Sequence, residues 1–95
     1  MKNDPYPLYD VPYLVREPND SYMSAIRHKI EVHNQAIVDD FFLARSRGLN
    51  YRQARLEVAT KHQTTESDVE CKLIWFYQEA RRRKKYDFLE KFPLW

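Results

Sequence analysis

Ninety-five residues with 43% hydrophobic and 15% aromatic content suffice for one small domain with a modest core, and exclude a chain too polar to fold. A single cysteine, Cys71, excludes an intrachain disulfide and fits a reducing compartment. No apolar run approaches the roughly 20 residues of a membrane span and the start, MKNDPYPLYD, has no apolar signal core; the expectation is a cytoplasmic protein without membrane contact, nuclear if the source is a eukaryote. The net charge of +2 conceals an uneven distribution: residues 1–44 are net −3, residues 45–85 carry eleven cations against five carboxylates, and residues 86–95 are net −1.

In chain order, residues 1–20 hold Pro5, Pro7, Pro12 and Pro18, each of which lacks a backbone donor and biases its predecessor away from the helical region. This segment is predicted to be an extended arm. Tyr6, Leu8, Tyr9, Val11, Tyr13, Leu14 and Val15 make it too apolar for a free linker, so it either docks on its own domain with several rings buried or anchors a partner.

A three-helix domain is predicted over residues 21–92. Asn19, Asp20 or Ser21 can cap a first helix that runs uninterrupted to Arg47. Met23, Ile26, Ile30, His33, Ile37, Phe41 and Ala44 recur three or four residues apart and form one apolar stripe, widened by Val38 and Phe42. The Met23–Ile37 portion has coiled-coil spacing, which Asp40 interrupts, so the stripe either packs inside the chain or joins two copies in a homodimer through this helix. Gly48, the only glycine, is placed to end the helix in a left-handed residue. Asn50 and Gln53 form a capping-box pattern for a second helix from Tyr51 to about Lys61, facing inward with Ala54 or Arg55, Leu56, Val58 and Ala59. After a turn at His62–Thr64, Thr65 caps a third helix whose apolar stripe is Val69, Leu73, Phe76 and Ala80, flanked by Ile74, Trp75 and Tyr77. Arg81, Arg82, Arg83, Lys84 and Lys85 follow, and residues 93–95 form an aromatic C-terminal tail ending in Trp95. The predicted fold class is all-α: a small three-helix domain with a long first helix, a helical hairpin and a Pro/Tyr-rich extended N-terminal arm.

From Arg55, Ala59 stands where a hairpin's first helix must let the second approach, Val69 stands ten residues later at a buried position, and LIWFYQEARRRKK, residues 73–85, places a Trp-Phe pair ahead of a basic end. Over residues 50–85 the chain resembles helix-turn-helix and homeodomain-like three-helix domains. Gln63 stands where that family usually has glycine in the turn, and Gln78 stands at the position of its adenine-reading asparagine. The resemblance implies nucleic-acid binding by the third helix. Glu66, Asp68 and Glu70 in its first turns carry the sign of phosphate, which disfavours base reading there. The expected contacts are therefore phosphate contacts from Arg52, Arg55, Arg81, Arg82, Arg83, Lys84 and Lys85.

His28 and His33 lie on different helical faces, and His62 and Cys71 have no second close pair, so no metal site is expected. No set of acid, base and nucleophile can be assembled, so neither an enzyme nor a cofactor is expected. Asp39 and Asp40 read as solvent-facing and Cys71 as semi-buried. Two functions follow: a small regulator binding nucleic acid, or a protein-interaction module, inhibitor or adaptor, anchored by Tyr6, Tyr9, Tyr13 and Trp95.

Overall fold

The computed structural model describes residues 11–18 and 21–85. Tyr6, Tyr9, Trp95 and the aromatic tail lie outside the described residues. Three helices follow an extended segment: α1 (Tyr22–Ser46), α2 (Tyr51–Lys61) and α3 (Glu66–Arg82). Among the described residues there is no strand, and the fold is all-α.

Each helix begins on a side-chain cap. Ser21, Asn50 and Thr65 accept hydrogen bonds from the backbone N–H groups of Ser24, Gln53 and Asp68, at 3.1, 2.8 and 3.0 Å. The Asn50 cap is a complete capping box, with the Asn50 N–H donating back to Gln53 Oε1 at 3.1 Å.

All three helices end in the same way, although the chain has one glycine. The residue after each C-cap is left-handed: Gly48 at φ +98°, Gln63 at +55° and Lys84 at +61°. The next N–H returns to a carbonyl one turn back: Leu49 to Ala44, Thr64 to Ala59 and Lys85 to Ala80, at 3.4, 2.9 and 2.8 Å. These are Schellman closures, and in each the accepting residue is a buried alanine. Gln63 thus takes the backbone conformation that its turn requires without the residue best suited to it. The left-handed penalty for a side chain is about 1–2 kcal/mol, and glycine gives back about 0.5–1 kcal/mol in unfolded-state entropy. Gln63→Gly is therefore expected to stabilise the domain by about 0.5–1 kcal/mol in urea denaturation. A loss of stability would show that the glutamine side chain holds the turn.

The core lies between the second half of α1 and the hairpin of α2 and α3. Ile37, Val38, Phe41, Phe42 and Ala44 meet Ala54, Val58 and Ala59 of α2 and Val69, Leu73, Phe76, Tyr77 and Ala80 of α3. The Phe42 and Phe76 rings lie 5.9 Å apart, and the Phe41 ring stands edge-on to those of Phe42 and Tyr51.

The first half of α1 departs from the expected stripe. Met23 is 61% and Ile30 53% exposed, and burial on α1 begins only at Glu31. At 25 residues α1 is about 37 Å long, well beyond the reach of the 11-residue α2 and the 17-residue α3. Leu56, expected inside α2, is likewise 54% exposed, because the 11-residue α2 turns Ala54, Val58 and Ala59 to the core and leaves Leu56 on the other side.

The extended segment lies on α1, held by polar hooks as much as by apolar burial. Leu14 is 1% exposed and joins the core. The Gln35 amide grips the backbone on both sides of Tyr13: its Oε1 accepts from the Leu14 N–H at 3.0 Å and its Nε2 donates to the Pro12 carbonyl at 3.1 Å. Arg16 Nε donates to buried Glu31 at 2.8 Å, and this bond raises the Arg16 pKa. His28 Nδ1 lies 2.9 Å from the Arg16 carbonyl; as a carbonyl only accepts, that nitrogen carries the proton. The arm thus docks on its own domain over the described stretch, and Tyr13, one of the rings named as a partner anchor, points outward.

Candidate nucleic-acid interface

The spacing that buries Val69, Leu73, Phe76 and Ala80 sends the opposite face of α3 to solvent. Ser67, Cys71, Ile74, Gln78 and Arg81 are all exposed, and their separations of four, three, four and three residues place them on one stripe. Cys71 is a free thiol on that surface rather than a semi-buried one.

The stripe contains no carboxylate, and every carboxylate of α3 is engaged by a neighbour. Arg55 of α2 bridges Glu66 at 3.4 Å and Glu70 at 3.3 Å, with its guanidinium 5.1 Å over the Tyr51 ring. Tyr51 Oη also donates to Glu70 at 3.4 Å; burial first, then the Glu70 charge, pushes the Tyr51 pKa up. Asp68 accepts from Thr64 Oγ1 at 2.8 Å and pairs with Lys72 at 3.1 Å. Those two neighbours, the Thr64 hydroxyl foremost, hold its carboxyl below the ordinary range. Glu79 is buried and pairs with Arg82 and with Arg83.

The seven expected phosphate ligands therefore separate into two groups. Arg55 is an internal clamp between α2 and α3, while Arg82 and Arg83 share the Glu79 carboxylate. Arg52, Arg81, Lys84 and Lys85 are exposed and form no ion pair among the described residues. Among the described residues the basic end of α3 keeps an excess of cations, since Glu79 is the one carboxylate that pairs within the run of five. Sequence reasoning counted the acids of the first turns in linear order and missed the exposed stripe. The stripe could be found as the complement of the buried one.

Asp39 and Asp40 are not solvent-facing but partly buried. Asp40 accepts from His62 Nε2 at 2.7 Å and pairs with Lys61 at 3.3 Å, tying α1 to the end of α2. The His62 ring stands edge-on to His33, 6.0 Å between centroids. Among the described residues no group of three or more His, Cys, Asp or Glu could hold a metal ion, and no helix is long and apolar enough to cross a membrane.

Against protein-family models, curated proteins and solved structures, the chain finds no match.

Proposed function

We propose that this protein binds nucleic acid along α3, with Arg81, Lys84, Lys85 and Arg52 contacting phosphates. The observation that supports this reading is the pairing of all four α3 carboxylates by neighbouring side chains. It lessens the electrostatic objection raised by the acidic first turns, since Glu66 and Glu70 share Arg55 and Asp68 pairs with Lys72, two cations set against three carboxylates. Because Arg81 stands at one end of the stripe, a phosphate bound there brings Ser67, Cys71, Ile74 and Gln78 toward the adjacent groove. Ion-paired carboxylates contribute less repulsion than free ones at short range, where a phosphate approaches within a Debye length of about 10 Å at 0.1 M salt.

Binding to a mixed-sequence duplex should be detectable at low salt and should weaken steeply as salt rises, with a slope near −0.9 per phosphate neutralised, or roughly −3 to −4 for these four cations. Alkylation of Cys71 should slow in the bound state, because the thiol lies on the stripe. The absence of binding at about 50 mM salt, or unchanged Cys71 alkylation in a bound complex, would overturn the reading.

A further inference from the structure

A groove of about 280 Å³ lies between the extended segment and α1, away from the α3 stripe; it is lined by Val11, Tyr13, Gln35, Asp39, Asp40 and Leu43. Its construction starts from the backbone. In an extended chain successive side chains point to opposite sides, so the burial of Leu14 turns Tyr13 outward. Gln35 fixes that alternation by bonding the backbone on either side of Tyr13. The Tyr13 ring, 60% exposed, is thereby held as an outer wall of the groove, and Val11 and Leu43 supply aliphatic walls.

The two carboxylates are not equivalent. Asp40 is compensated by Lys61 and hydrogen-bonded to His62 Nε2. Among the described residues Asp39 has only a neutral partner, accepting from Gln35 Nε2 at 3.1 Å. Burial, opposed by that bond, and the neighbouring Asp40 charge leave its pKa raised, and among the described residues no cation pairs with it. The groove thus presents one half-buried carboxylate that has no counter-charge among the described residues, held in place by an amide, beside an aromatic ring and two aliphatic side chains. An anion is excluded by charge, and a purely apolar ligand would leave Asp39 further desolvated. At this volume, just below the range of drug-sized pockets, a single side chain or small amine is accommodated. Between the two common biological cations, guanidinium fits better than ammonium: it is planar, less strongly hydrated, stacks on tyrosine and binds a carboxylate through two parallel N–H donors.

We propose that this groove binds a guanidinium group on an aliphatic stem, with Asp39 as its counter-ion and the Tyr13 ring as its stacking face. Such a group is supplied either by a free guanidino compound or by an arginine side chain of a peptide. The proposal stands apart from nucleic-acid binding and survives its failure.

The test is titration of the isotope-labelled full chain with N-acetyl-arginine methylamide, with an alanine-rich peptide carrying one arginine, and with the norleucine analogue as an uncharged stem. Capped arginine is expected to shift the amide signals of Tyr13, Gln35, Asp39 and Leu43 with Kd on the order of 1 mM, and norleucine to leave them in place. Asp39→Asn should weaken binding about tenfold or more while thermal stability holds or rises, because the charge it removes is one the fold disfavours. Tyr13→Ala, at an exposed side chain, should weaken binding several-fold with the fold intact. Tighter binding of the peptide than of capped arginine supports a protein-borne ligand, and equal binding supports a free guanidino compound. Shifts that persist in Asp39→Asn, that spread equally to the exposed acids Glu17 and Glu57, or that are absent at about 50 mM ligand overturn the proposal.

Discussion

Replacing Phe76 by alanine is expected to lower the unfolding free energy by about 3–5 kcal/mol. Its side chain is fully buried at the centre of α3, packed against Phe42 of α1 and edge-on to Tyr77 at 5.5 Å. The truncation removes the transfer energy of the ring and leaves a cavity where three helices meet, and rigid helices close such a gap only in part. A domain of this size has a total stability of about 5–15 kcal/mol, so the variant stands near the edge of folding. Ile74→Ala, two residues away on the exposed side of α3, is expected to cost less than about 1 kcal/mol. Urea denaturation of both variants measures the contrast. Equal losses would mean that α3 is rotated from the orientation described.

How far the structure was legible in the chain depended on the length scale of the determinant. The caps are local: Asn50 and Gln53 specify a capping box from four residues, and the structure holds it. Gly48 announced its left-handed role by residue type. Gln63 did not, since its conformation comes from the closure between Thr64 and Ala59 and not from any preference of glutamine. The buried stripe of α3 was legible from periodicity because helices lie against its whole length. On α1 the same reasoning failed at Met23 and Ile30: periodicity reports which residues share a face, but not how far a neighbour extends along it. The arm was the hardest to read. Its docking depends on Gln35, Glu31 and His28, which recur three and four residues apart on one face of α1 but are polar, so a stripe read from apolar residues passes over them. The acidic first turns of α3 posed a related difficulty, because the cation that compensates Glu66 and Glu70 comes from Arg55, eleven and fifteen residues earlier.

That compensation separates two kinds of arginine by experiment. The triple variant Arg81→Ala, Lys84→Ala, Lys85→Ala should fold as well as the parent, within about 0.5 kcal/mol, because these side chains are exposed. Its salt slope for duplex binding should fall by about 3, and its affinity near 0.1 M salt by roughly tenfold for each cation removed from a phosphate. Arg55→Met acts by another route. Methionine preserves much of the aliphatic packing on Tyr51 but releases Glu66 and Glu70, so the face of α3 gains uncompensated negative charge and binding weakens. Adding Glu66→Gln and Glu70→Gln to Arg55→Met should restore binding close to the parent, since the carboxylates that needed masking are gone. If binding is not restored in that triple variant, Arg55 itself contacts phosphate and is more than a clamp. If the Arg81, Lys84, Lys85 variant keeps both parental affinity and parental salt slope, α3 does not end on phosphate and the orientation proposed for the stripe is wrong.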